Sequence, residues 1–444
     1  MTTQNKNSLL SIIPFLIFIL VFLGAGVYYG DFYAMPSPIA IIVGIISAFI
    51  MLKGSIKDKM STFMEGCGDR NILTMCIIYI LAGAFATVSK AIGSVDAIVN
   101  IGINNLSPEY YPAGIFFIAS FLSLASGTSV GTVVALGPIA IGLSNAGGCD
   151  INVVGAALLG GAMFGDNLSI ISDTTIAATQ ILGCDMRDKF KNNLGFALPA
   201  AILAFFIYIY VGAGSREVLP TTASVNLSSA ILVVPYLVVI LLAFLGLDVF
   251  LVLVIGVVLS GLFGFIYHGF SFLEFSKKVY EGFTSMTEIF LLSLFTGGLA
   301  AMVEKAGGIE SLLNLIKNKI KGPKSALLGI GSFVGITDLA TANNTISIII
   351  SGKVSKKITE EYNIRPRVTS SILDTFSCIV QGIIPYGAQV LILIGYSKNS
   401  IDYPELLKNS FYLILLFIAV LIYIFVGDIK ENKSKSAPLN VSKN

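Results

Sequence analysis

The chain has 444 residues, of which 55% are hydrophobic and 12% are charged. Ordinary soluble domains are about 25% charged, so this composition is typical of a polytopic membrane protein whose main partner is the lipid bilayer. The net charge of +2 is spread over loops and the C-terminal tail rather than gathered in one basic patch, which argues against a nucleic-acid partner.

Cysteine and histidine form no pattern that would hold a metal or a disulfide framework. The five cysteines lie far apart without a C-x-x-C pair, and His268 is the single histidine. Spacing rules therefore favour neither a disulfide framework nor a zinc site. No Walker-type phosphate loop is present either, and we expect no bound cofactor.

Apolar runs divide the chain into two kinds of segment, judged by the about 17–25 residues that a spanning helix needs. Uninterrupted runs occur near residues 9–28, 37–52, 72–89, 193–213, 229–246, 248–267, 284–303 and 408–426. Interrupted runs, which contain polar residues, occur at 112–144, 151–182, 325–352 and 368–396. We expect an all-α polytopic fold with about 10–12 transmembrane segments.

The interrupted runs come in two pairs, one pair in each half of the chain. When the sequence is shifted so that Leu81 falls on Thr296, Leu81–Asn100 aligns without gaps on Thr296–Leu315 with six identities, and Ser126 falls on Thr341. We call this shift the repeat offset; internal repeats of this kind are common in secondary transporters. The expected organisation is: N-terminal spans 1–62, a first repeat 63–213, connecting spans 214–283, a second repeat 284–428 and a disordered cytoplasmic tail 429–444.

Loop charge predicts the orientation. Lys and Arg cluster at 53–70, 187–191, 305–324, 353–367 and after Lys430, which places these segments and both termini in the cytoplasm by the positive-inside rule. Residues 112–144 must then enter and leave from outside, and 325–352 from inside. The sequence thus predicts two inverted repeats, each with a re-entrant hairpin (112–144 or 325–352) and a broken helix (151–182 or 368–396).

The stretch GDNLSIISDTT (165–175) places Asp166 and Asp173 in a run that is otherwise apolar. Ionisable groups at membrane depth are costly and persist mainly where they face a cavity, an ion or a partner. On a continuous helix Asp166, Ser169 and Asp173 would share one face about 10 Å long, too far for one cation to touch both acids. If the helix unwinds near Gly165, free carbonyls can join the side chains as ligands. The alternative role for both acids is helix capping or a salt bridge at a bend.

The two expected hairpin tips also carry polar groups. Ser126, Gly127, Thr128 and Ser129 supply hydroxyls and backbone N–H groups, and non-helical backbone at membrane depth is tolerated where it lines a cavity. The second tip contributes the amide and hydroxyl oxygens of Asn343, Asn344 and Thr345. Their alternative roles are small-residue helix packing and interhelical hydrogen bonds.

Asp374, followed by Ser377, stands in the second broken helix, where we interpret it as the counterpart of Asp166. Its alternative role is that of a polar residue near the cytoplasmic end of its span.

The element GDNLSIISDTT, preceded by SGTSVGTVVALGPIA, resembles the NhaC family of Na⁺/H⁺ antiporters, and the resemblance covers roughly Phe63–Tyr396. It implies Na⁺- or H⁺-coupled secondary transport in a bacterial or archaeal cytoplasmic membrane. The residues that match the family element are Asp166, Ser169, Ser172, Asp173 and Thr174.

The chain also departs from the family pattern. Better-known members tend to show Lys and Pro where this chain has Asn167 and Ile170, so we expect no fixed positive charge beside Asp166. This departure leaves the transported solute open.

Our main hypothesis is Na⁺/H⁺ antiport by alternating access. Asp166, with Asn167 next to it and aided by the Ser126–Ser129 tip, binds Na⁺ or H⁺ in competition. The inverted half completes the site with Asn343, Asn344, Thr345 and Asp374, and the expected Na⁺ ligands are Asp166, Ser169 and Asn344. Coupled transport of an amino acid or organic acid is the second hypothesis. An intramembrane aspartyl protease and a passive channel are remote alternatives, since G-x-G-D is not matched and buried acids on broken helices suit occlusion. We therefore expect that the protein is not an enzyme. A homodimer is one oligomeric form that the sequence leaves open.

Overall fold

The computed structural model describes residues 9–29, 35–170, 172–214, 231–317, 319–427 and 429. Within these ranges the chain is all α-helical, joined by short loops and 3-10 turns, and contains no strand. Helices dominate because a chain in lipid must satisfy its backbone hydrogen bonds internally. The described helices of the first half are α1 Ile13–Tyr29, α2 Ser37–Met51, α3 Ile56–Cys67, α4 Arg70–Ala91, α5 Ser94–Asn105, α6 Tyr111–Ser126, α7 Ser129–Gly147, α8 Ile151–Leu168, α9 Asp173–Leu182 and α10 Met186–Gly212.

The second half continues with a similar series of helices. They are α11 Val234–Phe244, α12 Val249–Tyr267, α13 Phe272–Ser285, α14 Thr287–Lys305, α15 Gly308–Lys317, α16 Pro323–Thr341, α17 Asn344–Glu361, α18 Pro366–Ile383, α19 Ala388–Ser397, α20 Tyr403–Lys408 and α21 Phe411–Val426. The expectations for the extreme N-terminus and for the tail beyond residue 429 lie outside the described residues.

Eight helical stretches in the described part of the chain are long and apolar enough to cross a membrane. Three shorter apolar helices accompany them, namely α2, α21 and the helix around α11. The uninterrupted spans fall where the apolar runs predicted them; the run 248–267, for example, corresponds to α12. The predicted all-α polytopic fold is therefore confirmed, while the domain bounds given above stay a prediction.

The repeat is visible in the positions at which helices begin. The repeat offset carries the first residues of α7, α8 and α9 onto the first residues of α17, α18 and α19. In each half two helices form a hairpin, α6–α7 or α16–α17, and a helix pair separated by a short break follows, α8–α9 or α18–α19. The hairpins pack against the broken helices of their own halves, α6 and α7 on α8, and α16 and α17 on α18.

Each hairpin turns through a single left-handed residue. Gly127 follows α6 with φ of 70°, and Ala342 follows α16 with φ of 49°. Glycine adopts this conformation without steric cost, whereas alanine does so with strain. The two tips therefore have the same backbone shape but not the same intrinsic stability.

The next residue in each tip is a helix cap. The side chain of Thr128 accepts a backbone N–H at the start of α7, and that of Asn343 does the same for α17. These caps begin the next helix at once. The irregular tips are therefore shorter than the sequence indicated from the length of its polar stretches. Ser129, Asn344 and Thr345 lie in the first turn of a helix rather than in a loop.

The break in the first broken helix comes later than expected. Unwinding was expected near Gly165, but α8 continues to Leu168, with Ser169 as its C-cap and Ser172 as the N-cap of α9. The break in the second half lies between α18 and α19, at residues 384–387.

The comparison of Asp374 with Asp166 was wrong in register. Asp374 lies inside α18, nearly three turns before the break, whereas Gln381 lies in its last turn, as Asp166 does in α8. The repeat offset also carries Asp166 onto Gln381. The counterpart of the first acid is therefore a neutral amide.

Glycines let the first hairpin approach Asp166. A methyl group on Gly161 would come within 2.3 Å of the carbonyl oxygen of Phe116, and one on Gly165 within 2.4 Å of that of Ser120. Only the hydrogen of a glycine fits at these two positions, so the backbones of α6 and α8 are in direct contact. This close packing holds the hairpin tip next to the last turn of α8.

Candidate functional site

Asp166 is buried, with 3% of the residue exposed, in the last turn of α8. Ser129 donates its hydroxyl to Oδ2 at 2.6 Å and its backbone N–H to the same oxygen at 3.3 Å. Ser172 donates its hydroxyl to Oδ1 at 2.5 Å. Both carboxylate oxygens therefore accept hydrogen bonds, which is the role of an ionised acid.

Two helices begin beside this carboxylate. Ser129 is the first residue of α7, and Ser172 is the N-cap of α9. The positive ends of both helix dipoles thus lie at Asp166, where they stabilise an anion. In the described part of the chain no ion pair involves Asp166.

The second half reaches Asp166 through two glutamines. Gln389, in the first turn of α19, donates from Nε2 to the Ser129 hydroxyl at 3.0 Å, and it accepts a bond of the same length from Gln381. The Ser129 hydroxyl thus accepts from Gln389 while it donates to Asp166. This chain of hydrogen bonds connects the break in one half to the break in the other.

A buried ion pair lies beside the carboxylate. Lys189 of α10 and Asp374 of α18 are 1% and 0% exposed, and Nζ lies 2.5 Å from Oδ2. Lys189 also donates to the Thr175 hydroxyl at 2.6 Å, and Asn193 donates to Asp374 at 3.4 Å. Because both charges have partners, the pair joins the two halves of the fold by a strong contact that would be costly to break.

Asn167 joins the ion pair to the Asp166 site. Its carbonyl oxygen accepts from Lys189 at 2.8 Å and from Asn193 at 3.0 Å, while its own side-chain N–H donates to Thr375 at 3.1 Å. Lys189 therefore places a fixed positive charge against the residue that follows Asp166. That charge is paired with Asp374, and no ion pair of the described residues involves Asp166, so nothing here contradicts the expectation that no fixed positive charge lies beside Asp166.

The other members of the GDNLSIISDTT element have different surroundings. Ser169 is buried, and its backbone N–H donates to the carbonyl of Asp166 at 3.2 Å. The Thr174 hydroxyl shares a 2.9 Å hydrogen bond with that of Ser172. Asp173 is exposed at the start of α9, because the break in the helix turns it away from the face that carries Asp166.

The predicted residues of the two tips divide in a similar way. Ser129 contacts Asp166, whereas the buried hydroxyl of Ser126 has no hydrogen-bond partner among the described residues. In the second tip, Asn343 caps α17 and donates to the sulfur of Met75 at 3.3 Å. The Asn344 side chain accepts from the backbone N–H of Thr345.

No hydrogen bond within the described part of the chain therefore joins the second tip to Asp166. Ser377, the last of the predicted site residues, donates its hydroxyl back to the carbonyl of Asp374 at 2.9 Å.

Sequence reasoning left Lys189 out of the site because the positive-inside rule assigned 187–191 to a cytoplasmic loop. Asn193 was left out as the first residue of the apolar run 193–213. A signal was present: the two residues are four apart and so share one face of a helix. Since α10 begins at Met186, that face is already helical and turned inward. Gln381 and Gln389 had a second signal, because the repeat offset carries Asp166 and Thr174 onto them.

The arrangement offers a carboxylate with mobile donors around it and no permanent counter-charge. Hydroxyl groups can donate to the ionised acid or turn their oxygens towards a bound cation. Oxygen ligands of this kind suit small hard cations. A proton or a small cation can therefore neutralise Asp166 in turn.

The chain is similar to several known transport proteins. The chain is 22% identical to a malate-2H⁺/Na⁺-lactate antiporter of Bacillus subtilis, over 92% of this chain and 93% of that protein. It is 26% identical to the Na⁺/H⁺ antiporter NhaC of Alkalihalophilus pseudofirmus, over 79% and 82%. The solved structure of the YdaH transporter of Alcanivorax borkumensis aligns with a TM-score of 0.44 at 12% identity, over 94% of this chain and 97% of that one.

The family comparison covers both halves of the fold. The profile of the Na⁺/H⁺ antiporter family matches residues 5–213 and, separately, residues 216–427. The resemblance to NhaC noted from the GDNLSIISDTT element is thereby confirmed. With both repeats matched by one profile, this chain belongs to the Na⁺/H⁺ antiporter family.

Proposed function

We propose that this protein exchanges Na⁺ for H⁺ across a bacterial or archaeal cytoplasmic membrane, with Asp166 as the group that binds the two ions in turn. The observation that supports this most is a buried carboxylate that accepts three hydrogen bonds yet belongs to no ion pair of the described residues. Leaving such an anion uncompensated in a membrane is costly, so a mobile cation is the natural partner.

The two ions compete for the same oxygens. With H⁺ bound, Asp166 is neutral and the hydroxyls of Ser129 and Ser172 are free to find other acceptors. With Na⁺ bound, these hydroxyls and the backbone carbonyls freed at the break become oxygen ligands, and Ser169 lies where it can join them. Asn344 is a ligand only if the second tip moves, because its side-chain oxygen now accepts the backbone N–H of Thr345.

Alternating access requires that the two halves move relative to each other around the site. The contact of Gln389 with Ser129 crosses between the halves close to the bound ion. The Lys189–Asp374 pair also crosses between the halves. We propose that the glutamine contact changes during the cycle, whereas the buried ion pair keeps α10 and α18 together. The cytoplasmic position of both termini and a homodimeric state belong to this proposal too.

The decisive experiment is the Asp166→Asn substitution in proteoliposomes loaded to measure Na⁺-driven proton flux. The amide keeps the size of the side chain but removes the charge that attracts either ion, so we expect exchange to fall to background. Asp402→Asn, which makes the same chemical change in an exposed loop, is the matched control. Exchange near the wild-type rate in Asp166→Asn would refute the assignment.

A second candidate function is coupled exchange of organic or amino acids. It is favoured by the similarity to the malate-2H⁺/Na⁺-lactate antiporter over nearly the whole chain. A fixed Lys189 charge and the amides of Gln381, Gln389 and Asn193 are groups that could receive a carboxylate. Thermal stabilisation of the purified protein by a panel of acids, with and without Na⁺, decides the matter. An acid that raises the midpoint only with Na⁺ favours this candidate; no response to any acid removes it.

A further inference from the structure

A second acid is buried in the other half of the protein, outside the site described above. Asp338 lies in α16, one turn before the tip of the second hairpin, and is 0% exposed. No side chain of the described residues donates a hydrogen bond to either carboxylate oxygen, and the backbone N–H of Gln381 is the polar group that lies beside them. It also takes no part in the ion pairs of that part of the chain.

The first half shows what the same position carries in the other hairpin. The repeat offset carries Ser123 onto Asp338, and the Ser123 hydroxyl donates to the carbonyl of Ala162 in α8 at 2.6 Å. The carbonyl at the same place in α18 belongs to Ser377. An ionised carboxylate cannot donate to a carbonyl, but a protonated one can, as the serine hydroxyl does.

The surroundings of Asp338 suit a proton better than a metal ion. Tyr386, in the break between α18 and α19, is the titratable side chain that faces it, and its hydroxyl already donates to the carbonyl of Leu339 at 2.8 Å. In the described residues of α14, α15, α17 and α21, the other helices packed against α16, no charged side chain pairs with Asp338. A bare cation would need several further oxygen ligands, whereas a proton needs one acceptor.

Asp338 is also connected to the Asp166 site. It lies against the backbone of Gln381, whose side-chain oxygen is buried without a hydrogen-bond partner among the described residues. The other end of the Gln381 amide begins the hydrogen-bonded chain through Gln389 to Ser129 and Asp166. A change at Asp338 can therefore reach Asp166 through three adjoining side chains.

We propose that Asp338 is a second exchange site that is specific for a proton. The proposal rests on the proposed Na⁺/H⁺ antiport, in which Asp166 carries Na⁺ in one direction and H⁺ in the other. Asp338 carries one more H⁺ in the same step in which Asp166 carries its H⁺. Each cycle then moves two protons against one Na⁺, so one net positive charge crosses the membrane in the direction of the protons.

The test measures exchange in proteoliposomes whose membrane potential is clamped with K⁺ and valinomycin. Variants are Asp338→Asn, Asp338→Ser and the exposed-loop control Asp402→Asn. Asp338→Ser is the second variant in case Asp338→Asn misfolds, because Ser123 occupies the corresponding position in the first hairpin. We expect a severalfold response of the wild-type and control rates to the potential, and exchange without that response in both Asp338 variants.

The outcomes separate the two proposals. Wild-type exchange that ignores the potential, or Asp338 variants that still respond to it, overturns the Asp338 site and leaves the antiport intact. If the wild-type protein shows no exchange, the proposed antiport itself is refuted. Infrared spectroscopy gives an independent readout: a protonated-carboxyl band should disappear in Asp338→Ser and respond to pH in the wild type. A band that is unchanged by the substitution, or that never responds to pH, also overturns the proposal.

Discussion

Asp166 and Asp374 are both buried, but one is bound by hydroxyl groups and the other by a charged lysine. Asp374 is neutralised by Lys189 at 2.5 Å, and its charge is therefore permanently compensated. Asp166 is held by the hydroxyls of Ser129 and Ser172, which stabilise a negative charge without cancelling it. The difference decides which acid can release and rebind a cation, because only an uncompensated charge gains much from binding one.

Ser129→Ala tests the most connected of these hydroxyls. The change removes a 2.6 Å hydrogen bond to Asp166 and the acceptor for Gln389. Hydrogen bonds to charged groups contribute about 1.5–3 kcal/mol. We therefore expect the KM for Na⁺ in proteoliposomes to rise about tenfold or more, since about 1.4 kcal/mol corresponds to tenfold.

Ser120→Ala serves as the control for this prediction, because among the described residues its hydroxyl bonds only to the carbonyl of Phe116, one turn back in α6. Ser129→Thr, which keeps the hydroxyl, should restore most of the affinity. An unchanged KM in Ser129→Ala would mean that the hydroxyl does not contribute to ion binding.

Lys189→Met tests the buried ion pair. Removing one partner leaves the Asp374 charge uncompensated in the membrane, which typically costs about 3–5 kcal/mol. We expect a marked fall in the thermal midpoint of the detergent-solubilised protein. The double variant Lys189→Met/Asp374→Leu should be more stable than the single one, because it removes both charges together. Strictly additive effects in this double-mutant cycle would contradict the expected coupling.

At the scale of the helical elements, both hairpin tips are built the same way. A left-handed residue ends the first helix, and a polar cap begins the second one immediately. The first tip uses Gly127 and the second Ala342 at the left-handed position. Short tips of this kind place helix N-termini at membrane depth, where their dipoles can act on charges in the site.

Exchanging glycine and alanine at the left-handed position should change stability in opposite directions at the two tips. The left-handed conformation costs an L-residue about 1–2 kcal/mol. Ala342→Gly should therefore raise the thermal midpoint of the detergent-solubilised protein, and Gly127→Ala should lower it. Midpoints that move in the same direction for both variants would show that local packing, rather than backbone strain, dominates at the tips.

Across the whole molecule, the polar network runs between the two halves through otherwise apolar packing. Gln381 and Gln389 come from the second half, while Ser129, Asp166 and Ser172 come from the first. An ion bound to Asp166, as we propose, would therefore contact a network to which both halves contribute. Such a contact at the junction of two repeats is what alternating access around a central site requires.

Competition between the two ions predicts how transport depends on pH. In the proposed mechanism Na⁺ binds only the ionised form of Asp166, so protonation removes the binding-competent form. As pH falls below the range in which Asp166 is ionised, the apparent KM for Na⁺ should rise by up to about tenfold per pH unit. The maximal rate at saturating Na⁺ should change much less. A KM that stays constant while the maximal rate falls would indicate that Na⁺ and H⁺ bind at separate sites.

The sequence alone was sufficient for the fold class and for the Asp166 motif. Apolar run length identifies spans because each helix must bury its own backbone, and a polar residue in such a run is visible without knowing its neighbours. The repeat offset likewise predicted where hairpins and broken helices recur. These are local properties, which survive whatever the helices pack against.

Tertiary structure decided which polar residues meet. Lys189 looked like part of a cytoplasmic loop, yet the inward face of α10 brings it to Asn167 and Asp374. On a continuous helix Asp173 would share a face with Asp166, yet the break after Leu168 turns it outward. Neither result follows from spacing along the chain, because the partners come from different helices and the position of a helix break depends on what satisfies its free backbone groups.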